Sequence, residues 1–341
     1  MTTTPLTLSP VVVTGAAGFI GSHLTDALLA HGTEVIAIDR RSVHKDPVAA
    51  RNLADALTNP NLAFHQADLA TDELDELDEL ISGARIVFHL AAVPGVRDSW
   101  DERFRDYAAS NVVATQCLLT ACERAQVPRL VLASSSSVYG QTSGPSTESD
   151  PTYPMSPYGA TKLAAEHLCM AHAARPDTST SVVALRYFTV YGPRQRSDMA
   201  ISRVLAAVLS GVPVPLYGDG QQSREFTYVD DIVAATLAAA AIPGEVGAET
   251  VNVGGGSSVS MLELISVVGQ ITGRKVPLTM EAPRAGDVEA TRADLTRAHA
   301  LLGYSPRVEL RDGIARQLDW MVKQPSPQSI SEPSVGEVVL R

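Results

Sequence analysis

The sequence predicts an α/β protein, a doubly wound parallel sheet with a smaller C-terminal lobe, and three observations carry that expectation. Short, near-continuously apolar, β-branched runs alternate with amphipathic stretches through the first half of the chain, as in a parallel sheet covered by helices on both faces. The first such run, Val11–Thr14, leads directly into a glycine-rich turn, TGAAGFIG at 14–21, the strand–turn–helix start of a nucleotide-binding unit. After Tyr191 the rhythm breaks, with Pro193, Pro213, Pro215, Gly218 and Gly220 punctuating the chain, so a second body is expected over the carboxyl edge of the sheet.

Taken in order, strands are expected at 11–14, 34–39, 62–68, 85–91, 129–134 and 181–186, with helices at 19–30, 107–125 and 157–174. Right-handed crossovers between parallel strands then give a Rossmann-type order. The nucleotide-binding domain is expected over 8–187, with elements returning to it near 226–254: a helix at 232–241 and a strand at 250–253 that ends in Gly254-Gly255-Gly256. The smaller, substrate-binding lobe takes 188–225 and 255–322, and the Ser- and Pro-rich tail, 324–341, is expected to be mobile. The DELDEL run at 72–80 reads as a solvated helix with a leucine stripe and is given no function.

With 341 residues, two lobes rather than one core are expected. A hydrophobic share of 45% suits a globular enzyme, and a formal net charge of −11 without a Lys/Arg-rich block argues against nucleic acid and anionic membranes as partners. Cys117, Cys122 and Cys169 form neither a C-x-x-C motif nor a secreted disulfide pattern, so a reducing cytoplasm is expected. The N-terminal MTTTPLTLSP has no basic region followed by a long apolar stretch, so neither a signal peptide nor a membrane span is expected.

In the turn, Gly15 permits the tight bend, Gly18 lets a pyrophosphate approach the backbone, and Gly21 lets the following helix pack closely while its N-terminal dipole faces the phosphates. The spacing is G-x-x-G-x-x-G, and a ligand-free glycine turn is the alternative. Asp39, about twenty residues on, can accept hydrogen bonds from an adenosine ribose and would repel a 2′-phosphate, which favours NAD over NADP; Arg40 and Arg41 pull the other way. Asp68 could contact the adenine edge or merely close a turn.

Tyr158 and Lys162, in SPYGATK, share one helix face at i and i+4. A tyrosine is a poor base at its ordinary pKa of about 10, and a neighbouring ammonium together with a nicotinamide's positive charge would favour its phenolate. Four hydroxyls, Ser134 to Ser137 in ASSSSVYG, fall at a strand's carboxyl end, where such sheets place ligands. A serine-rich loop capping its own backbone is the plain alternative. No G-x-S-x-G and no H-E-x-x-H occurs, so neither a serine hydrolase nor a metal site is expected.

TGAAGFIG, HLAA (89–92), SSSVYG, YGATK and REFTYVDD (224–231) together resemble the extended short-chain dehydrogenase/reductase group, the NAD-dependent nucleotide-sugar epimerases and dehydratases, over roughly 11–320. The resemblance implies a tightly held NAD, a uridine or deoxythymidine diphosphate-sugar, and a homodimer. It places NAD on Gly15, Gly18, Phe19, Ile20 and Gly21, on Asp39, Arg40, Asp68 and Leu69, and on Leu90, Ala91 and Ala92, besides Tyr158 and Lys162. It selects Ser135 as the hydroxyl that acts with the tyrosine and lysine, with Ser134 and Ser136 as flanking candidates.

Dehydratases of the group carry an Asp-Glu pair where this chain has Ser136-Ser137, so epimerisation is favoured over water loss. RYFTVYGPRQRSDMA, 186–200, resembles a stretch of UDP-glucuronate 4-epimerases, with Ser197 in place of a proline. A 4-keto uronate is a β-keto acid that loses CO2 readily, so its carboxylate must be gripped. Arg196, a planar bidentate partner, is expected to do so with help from Thr189; the plainer alternative has Arg196 on diphosphate or a surface carboxylate. By resemblance Arg224, Arg284 and Asp287 hold the UDP. Rival readings are a UDP-glucose or UDP-N-acetylhexosamine 4-epimerase, a UDP-glucuronate decarboxylase, and a non-catalytic NAD-binding protein.

Overall fold

The computed structural model describes residues 9–71, 74–243, 247–282 and 288–324. Its first part runs β1 (Val11–Thr14), α1 (Phe19–Ala30), β2 (Val35–Asp39), α2 (Pro47–Asn52), β3 (Leu62–Gln66), α3 (Leu74–Ile81), β4 (Ile86–His89), α4 (Phe104–Ala108), α5 (Ala114–Arg124), β5 (Arg129–Ser135), α6 (Pro157–Ala173) and β6 (Ser181–Tyr187). Then come β7 (Val190–Tyr191), α7 (Ala200–Ser210), β8 (Val214–Tyr217), β9 (Ser223–Glu225), β10 (Thr227–Tyr228), α8 (Val229–Ala240), β11 (Ala248–Val253), β12 (Ser258–Ser260), α9 (Met261–Thr272), β13 (Leu278–Glu281), α10 (Thr296–Leu302) and α11 (Leu310–Lys323).

A seven-stranded sheet in the order β11-β6-β5-β4-β1-β2-β3 forms the centre, and each of its pairings is parallel. The chain winds outward from β1 to β3, then crosses to β4 on the other side of β1. The crevice at the carboxyl ends of β1 and β4 is therefore the point where the winding reverses, the place such sheets bind ligands. Val11 and Val13 of β1 feed one apolar core and Val12 the other; Val183 and Leu185 of β6 alternate with Val182 and Ala184 in the same way. That two-sided burial is why the strands read as unbroken apolar runs.

Helices α1 and α6 begin where expected. Pro157 occupies the first turn of α6 behind Ser156, whose hydroxyl accepts from Gly159 N at 3.0 Å. Two strands are shorter than their composition suggested. β4 stops at His89 because its partner β1 stops at Thr14, where Gly15 turns off with φ +69°. β3 stops at Gln66 opposite Asp39, the end of β2. Leu90, Ala91 and Asp68 consequently lie in loops beyond the ladder. The 107–125 helix is a composite, α4 and α5 joined through a π-helical turn at Ala109–Val113.

After β6 the chain contributes one more strand to the sheet. β10 pairs parallel with β7, α8 packs on α1, and β11 adds to the edge beside β6. The rest pairs β8 with β13 and β9 with β12. In α3, Leu77 and Ile81 are buried while Asp75 is open to solvent, the expected leucine stripe. The tail beyond Gln324 lies outside the described residues, as do Asp72 and Glu73 of the DELDEL run.

One buried ionic cluster knits three of the central elements. Glu166 of α6 and Arg186 of β6 are each about 5% exposed and form an ion pair. Glu166 Oε2 also accepts from Ser134 of β5 at 2.8 Å, and the Arg186 guanidinium lies 4.7 Å over the Tyr139 ring. Removing one charge strands the other in a dry interior. Glu166→Gln should therefore lower the unfolding free energy by roughly 3–5 kcal/mol. Urea denaturation measures this, and an unchanged midpoint would mean the pair is not the buried tie described.

Candidate active site

The glycine turn is built by contacts at atomic closeness. At Gly15 a Cβ would stand 2.7 Å from Ala91 N, and at Gly21 one would stand 2.1 Å from the Gly15 carbonyl oxygen. The turn is thus pressed against the loop after β4, and the start of α1 against the turn itself. Asp39 Oδ2 accepts from Ala17 N at 3.0 Å, Asp39 Oδ1 from Arg41 N at 2.9 Å, and Asn52 of α2 donates to Ala17 O at 3.0 Å. Closing the turn leaves Asp39 able to accept from a ligand as well, since each carboxylate oxygen keeps a second lone pair. Gly18 caps α1 without a side chain, which leaves the first N–H groups of that helix for an anion.

Beside the ends of β2 and β3 lies a cleft of about 420 Å³ lined by Arg40, Arg41, Gln66, Ala67 and Asp68. Asp68 also closes its own turn, accepting from Ala70 N at 3.1 Å. Arg40 is exposed and donates to Ser110 Oγ at 3.0 Å. Phe19, Ile20, Leu90, Ala91 and Ala92 are half-buried around the crevice, whereas the Leu69 side chain is part of the core, leaving only its backbone to offer. A turn with no room for a Cβ, an uncapped helix start and a cleft beyond Asp39 fit a dinucleotide.

Lys162 is 4% exposed, and its ammonium carries no hydrogen bond to another described residue. Burial pushes its pKa down to about 8, against the pull of Cys169 and Glu166. Tyr158, one turn earlier, is hydrogen-bonded to Ser135. Burial raises its pKa; the Ser135 bond and the charge of Arg196 oppose the rise without cancelling it. The expected stabilisation of the phenolate counts a nicotinamide's positive charge together with the ammonium; the protein's own favourable contributions alone do not outweigh desolvation.

Of the four serines, Ser134 does not face the site. Its hydroxyl donates at 2.8 Å to buried Glu166, two helical turns beyond Tyr158 on α6. Ser135 does face it, and its Oγ also accepts from Ser137 N at 3.1 Å. Ser136 is half-buried in the following 3₁₀ turn.

A polar relay that composition and spacing did not reveal joins the glycine turn to the tyrosine helix. His89 is buried, with its pKa pushed down to about 3 by desolvation and by Lys162, so the ring is neutral. Thr115 Oγ1 donates to Asn111 O at 2.8 Å and therefore accepts from His89 Nε2 at 2.9 Å. That leaves His89 Nδ1 to accept from Thr14 Oγ1 at 2.8 Å. Asn111, in the π turn, donates to Thr161 Oγ1 at 3.0 Å, and Thr161 donates to the Tyr158 carbonyl at 2.8 Å. An asparagine in the middle of an apolar helix was the one available signal.

On the opposite wall, the loop at 188–199 is tied down from several sides. His23 Nε2 donates to Pro193 O at 2.9 Å, and Arg194, at φ +64°, pairs with Asp26 at 2.7 Å. Buried Gln317 accepts from Gly192 N at 2.9 Å and donates to Gln195 at 2.8 Å. Arg196 reaches the neighbourhood of Tyr158 and Gly95, and Thr189 is half-buried after β6. Arg224, half-buried on β9, donates to Ser223 O at 2.8 Å and reaches Glu289 O at 3.5 Å. Arg284 and Asp287 lie outside the described residues. Among the described residues no cluster of three or more His, Cys, Asp or Glu could hold a metal ion, and no helix is long and apolar enough to cross a membrane.

Residues 11–254 match the sequence profile of the NAD dependent epimerase/dehydratase family. A Bacillus subtilis (strain 168) protein named as an uncharacterized UDP-glucose epimerase, YtcB, is 42% identical over 91% of this chain and 97% of its own length. MoeE5, solved with NAD and either UDP-glucose or UDP-glucuronic acid, superposes with a TM-score of 0.84 at 46% identity, covering 92% of this chain and 99% of its own. The UDP-glucuronic acid 4-epimerase of Bacillus cereus, solved with UDP-glucuronic acid and NAD, gives a TM-score of 0.86 at 39% identity, covering 92% and 98%.

The buried ammonium makes a pH prediction. Its folded pKa, about 8, lies below the ordinary 10.5. Between those values the unfolded chain binds more protons, so NAD-free protein is stabilised as pH rises, by roughly 3 kcal/mol in total. Lys162→Met should be more stable than wild type below pH 8, and its advantage should shrink as pH climbs toward 10.5. A pH-independent difference in urea midpoints would contradict the assignment.

Proposed function

The chain belongs to the NAD dependent epimerase/dehydratase family, and from that premise we propose that it inverts C4 of UDP-glucuronate, giving UDP-galacturonate without loss of the carboxylate. The coarser statement, an NAD-dependent UDP-sugar 4-epimerase, is common ground with its relatives. The observation that carries the finer reading is Arg196, whose guanidinium stands beside Tyr158 and Gly95, where a carboxylate next to the reacting carbon could be held. Ser136-Ser137, in place of paired carboxylates, supplies no acid and base for water loss.

NAD supplies a reversible hydride acceptor at C4. Tyr158 takes the O4 proton, and Ser135, bonded to Tyr158, holds O4 in line with it. Lys162 places a positive charge one helical turn away, which favours the phenolate while it forms. Arg196, with Thr189, keeps the C6 carboxylate of the 4-keto sugar from aligning its C–C bond with the carbonyl, and so from leaving as CO2. The sugar turns and presents its other face while the distant UDP, held by Arg224, Arg284 and Asp287, keeps it in the site. In this reading 188–225 and 255–322 form the substrate lobe, and the enzyme is a cytoplasmic homodimer.

A second reading, UDP-glucose as the substrate, is favoured by the name of the Bacillus subtilis relative and by the UDP-glucose complex of MoeE5. Incubating purified protein with each sugar nucleotide and resolving products by NMR separates the two. UDP-galacturonate is expected. UDP-pentose with CO2 would refute carboxylate retention, and turnover confined to UDP-glucose would refute the role of Arg196. Tyr158→Phe should fold and load NAD, with kcat down by about a thousandfold; undiminished turnover would remove Tyr158 from proton transfer.

A further inference from the structure

We propose that Asp198 is a positioning residue that aims Arg196 at the sugar carboxylate and thereby sets the preference for an acidic over a neutral UDP-sugar. The inference rests on the reading of Arg196 above. Met199 N donates to Arg196 O at 3.2 Å, so 196–199 is a single reverse turn with Ser197 and Asp198 at its centre. The turn brings Asp198 back alongside Arg196: Oδ1 accepts from Nε at 2.9 Å and Oδ2 from Nη2 at 2.5 Å.

This is the side-on edge of the guanidinium. An arginine has five N–H groups, and the two that Asp198 engages leave three, one each of Nη1 and Nη2 along the end of the fork and the second of Nη1 beside Cδ. A Cβ on Gly95 would lie 3.1 Å from Nη2 and 3.8 Å from Nη1, so the guanidinium end rests over the Gly95 backbone. Gly95 has φ +113°, and its carbonyl is pinned by Tyr107 Oη at 2.9 Å. The Tyr107 ring in turn meets Tyr158 edge-on, with centroids 6.2 Å apart. Asp198 is the more open of the two, 56% exposed against 32% for Arg196, so the clamp works from the solvent side.

As a source of fold stability such a half-exposed pair counts for little. Its consequence is directional, because a planar fork held along one edge cannot rotate away from its target. Ser197 occupies the turn position where a proline would otherwise stiffen the backbone, which leaves the orientation of Arg196 to Asp198.

The test uses NAD-loaded full-length protein, with Asp198→Ala and Asp198→Asn as variants and UDP-glucuronate, UDP-glucose and UDP as ligands, in steady-state kinetics and calorimetry. The expected result is a KM and Kd for UDP-glucuronate raised roughly tenfold, with kcat within about twofold and a shift of less than about twofold for UDP-glucose and UDP. An equal loss for both sugars would overturn the proposal, since it would mark a general loosening of the loop. Unchanged or tighter UDP-glucuronate binding would also overturn it, by making Asp198 a bystander or a competitor. Wild-type protein that binds UDP-glucuronate no better than UDP-glucose would instead defeat the reading of Arg196 itself, and the clamp with it.

Discussion

A neutral, fully enclosed histidine holds the two halves of this active site in register. β1, which delivers the glycine turn, and α6, which delivers Tyr158 and Lys162, are not neighbours; β4 lies between β1 and β5, on which α6 packs. The hydrogen bonds from Thr14 through His89, Thr115, Asn111 and Thr161 cross that gap, with each hydroxyl acting once as donor and once as acceptor. Its direction is fixed because a buried imidazole beside an ammonium stays uncharged and so keeps one donor and one acceptor nitrogen. A charged ring would have two donors, and the Thr14 hydroxyl would have to reverse. A polar chain inside a core is tolerable only when every member is satisfied, and here the satisfied state is also the aligned one.

The same face of α6 concentrates charge. Tyr158, Lys162 and Glu166 follow one another at intervals of four residues, with the phenol at the crevice, the ammonium behind it and the carboxylate deepest, paired to Arg186. Burial works against the ionised form of the phenol and of the ammonium. It lifts the tyrosine and lowers the lysine, while the Glu166 carboxylate is met by Arg186 and Ser134. In the proposed reaction, proton transfer by Tyr158 therefore calls for positive charge from several sources at once. Arg196 contributes from the opposite wall, which makes it relevant both to what the site binds and to how readily the phenol ionises.

Much of this was legible in the residues themselves. The glycine turn, the start of α1 and the Pro157 start of α6 are local features, written into a few adjacent side chains, and they stand where expected. The ends of β3 and β4 were read too long because a strand ends where its partner ends, and that partner is elsewhere in the sequence. The partners of Asn111 and Gln317 could not have been found, since they are 50 and 122 positions away. The direction of the Tyr158 shift was beyond sequence reasoning for a related reason: a neighbouring lysine can be counted, whereas desolvation depends on everything packed around the ring.

The central claim is that the hydrogen lifted from C4 is the hydrogen put back, because the residues around Tyr158 manage only the hydroxyl proton. UDP-glucuronate carrying deuterium at C4, turned over in ordinary water and followed by NMR, tests it most directly. The account predicts that both sugars at equilibrium keep the label at C4. Exchange of that deuterium for solvent hydrogen would contradict it.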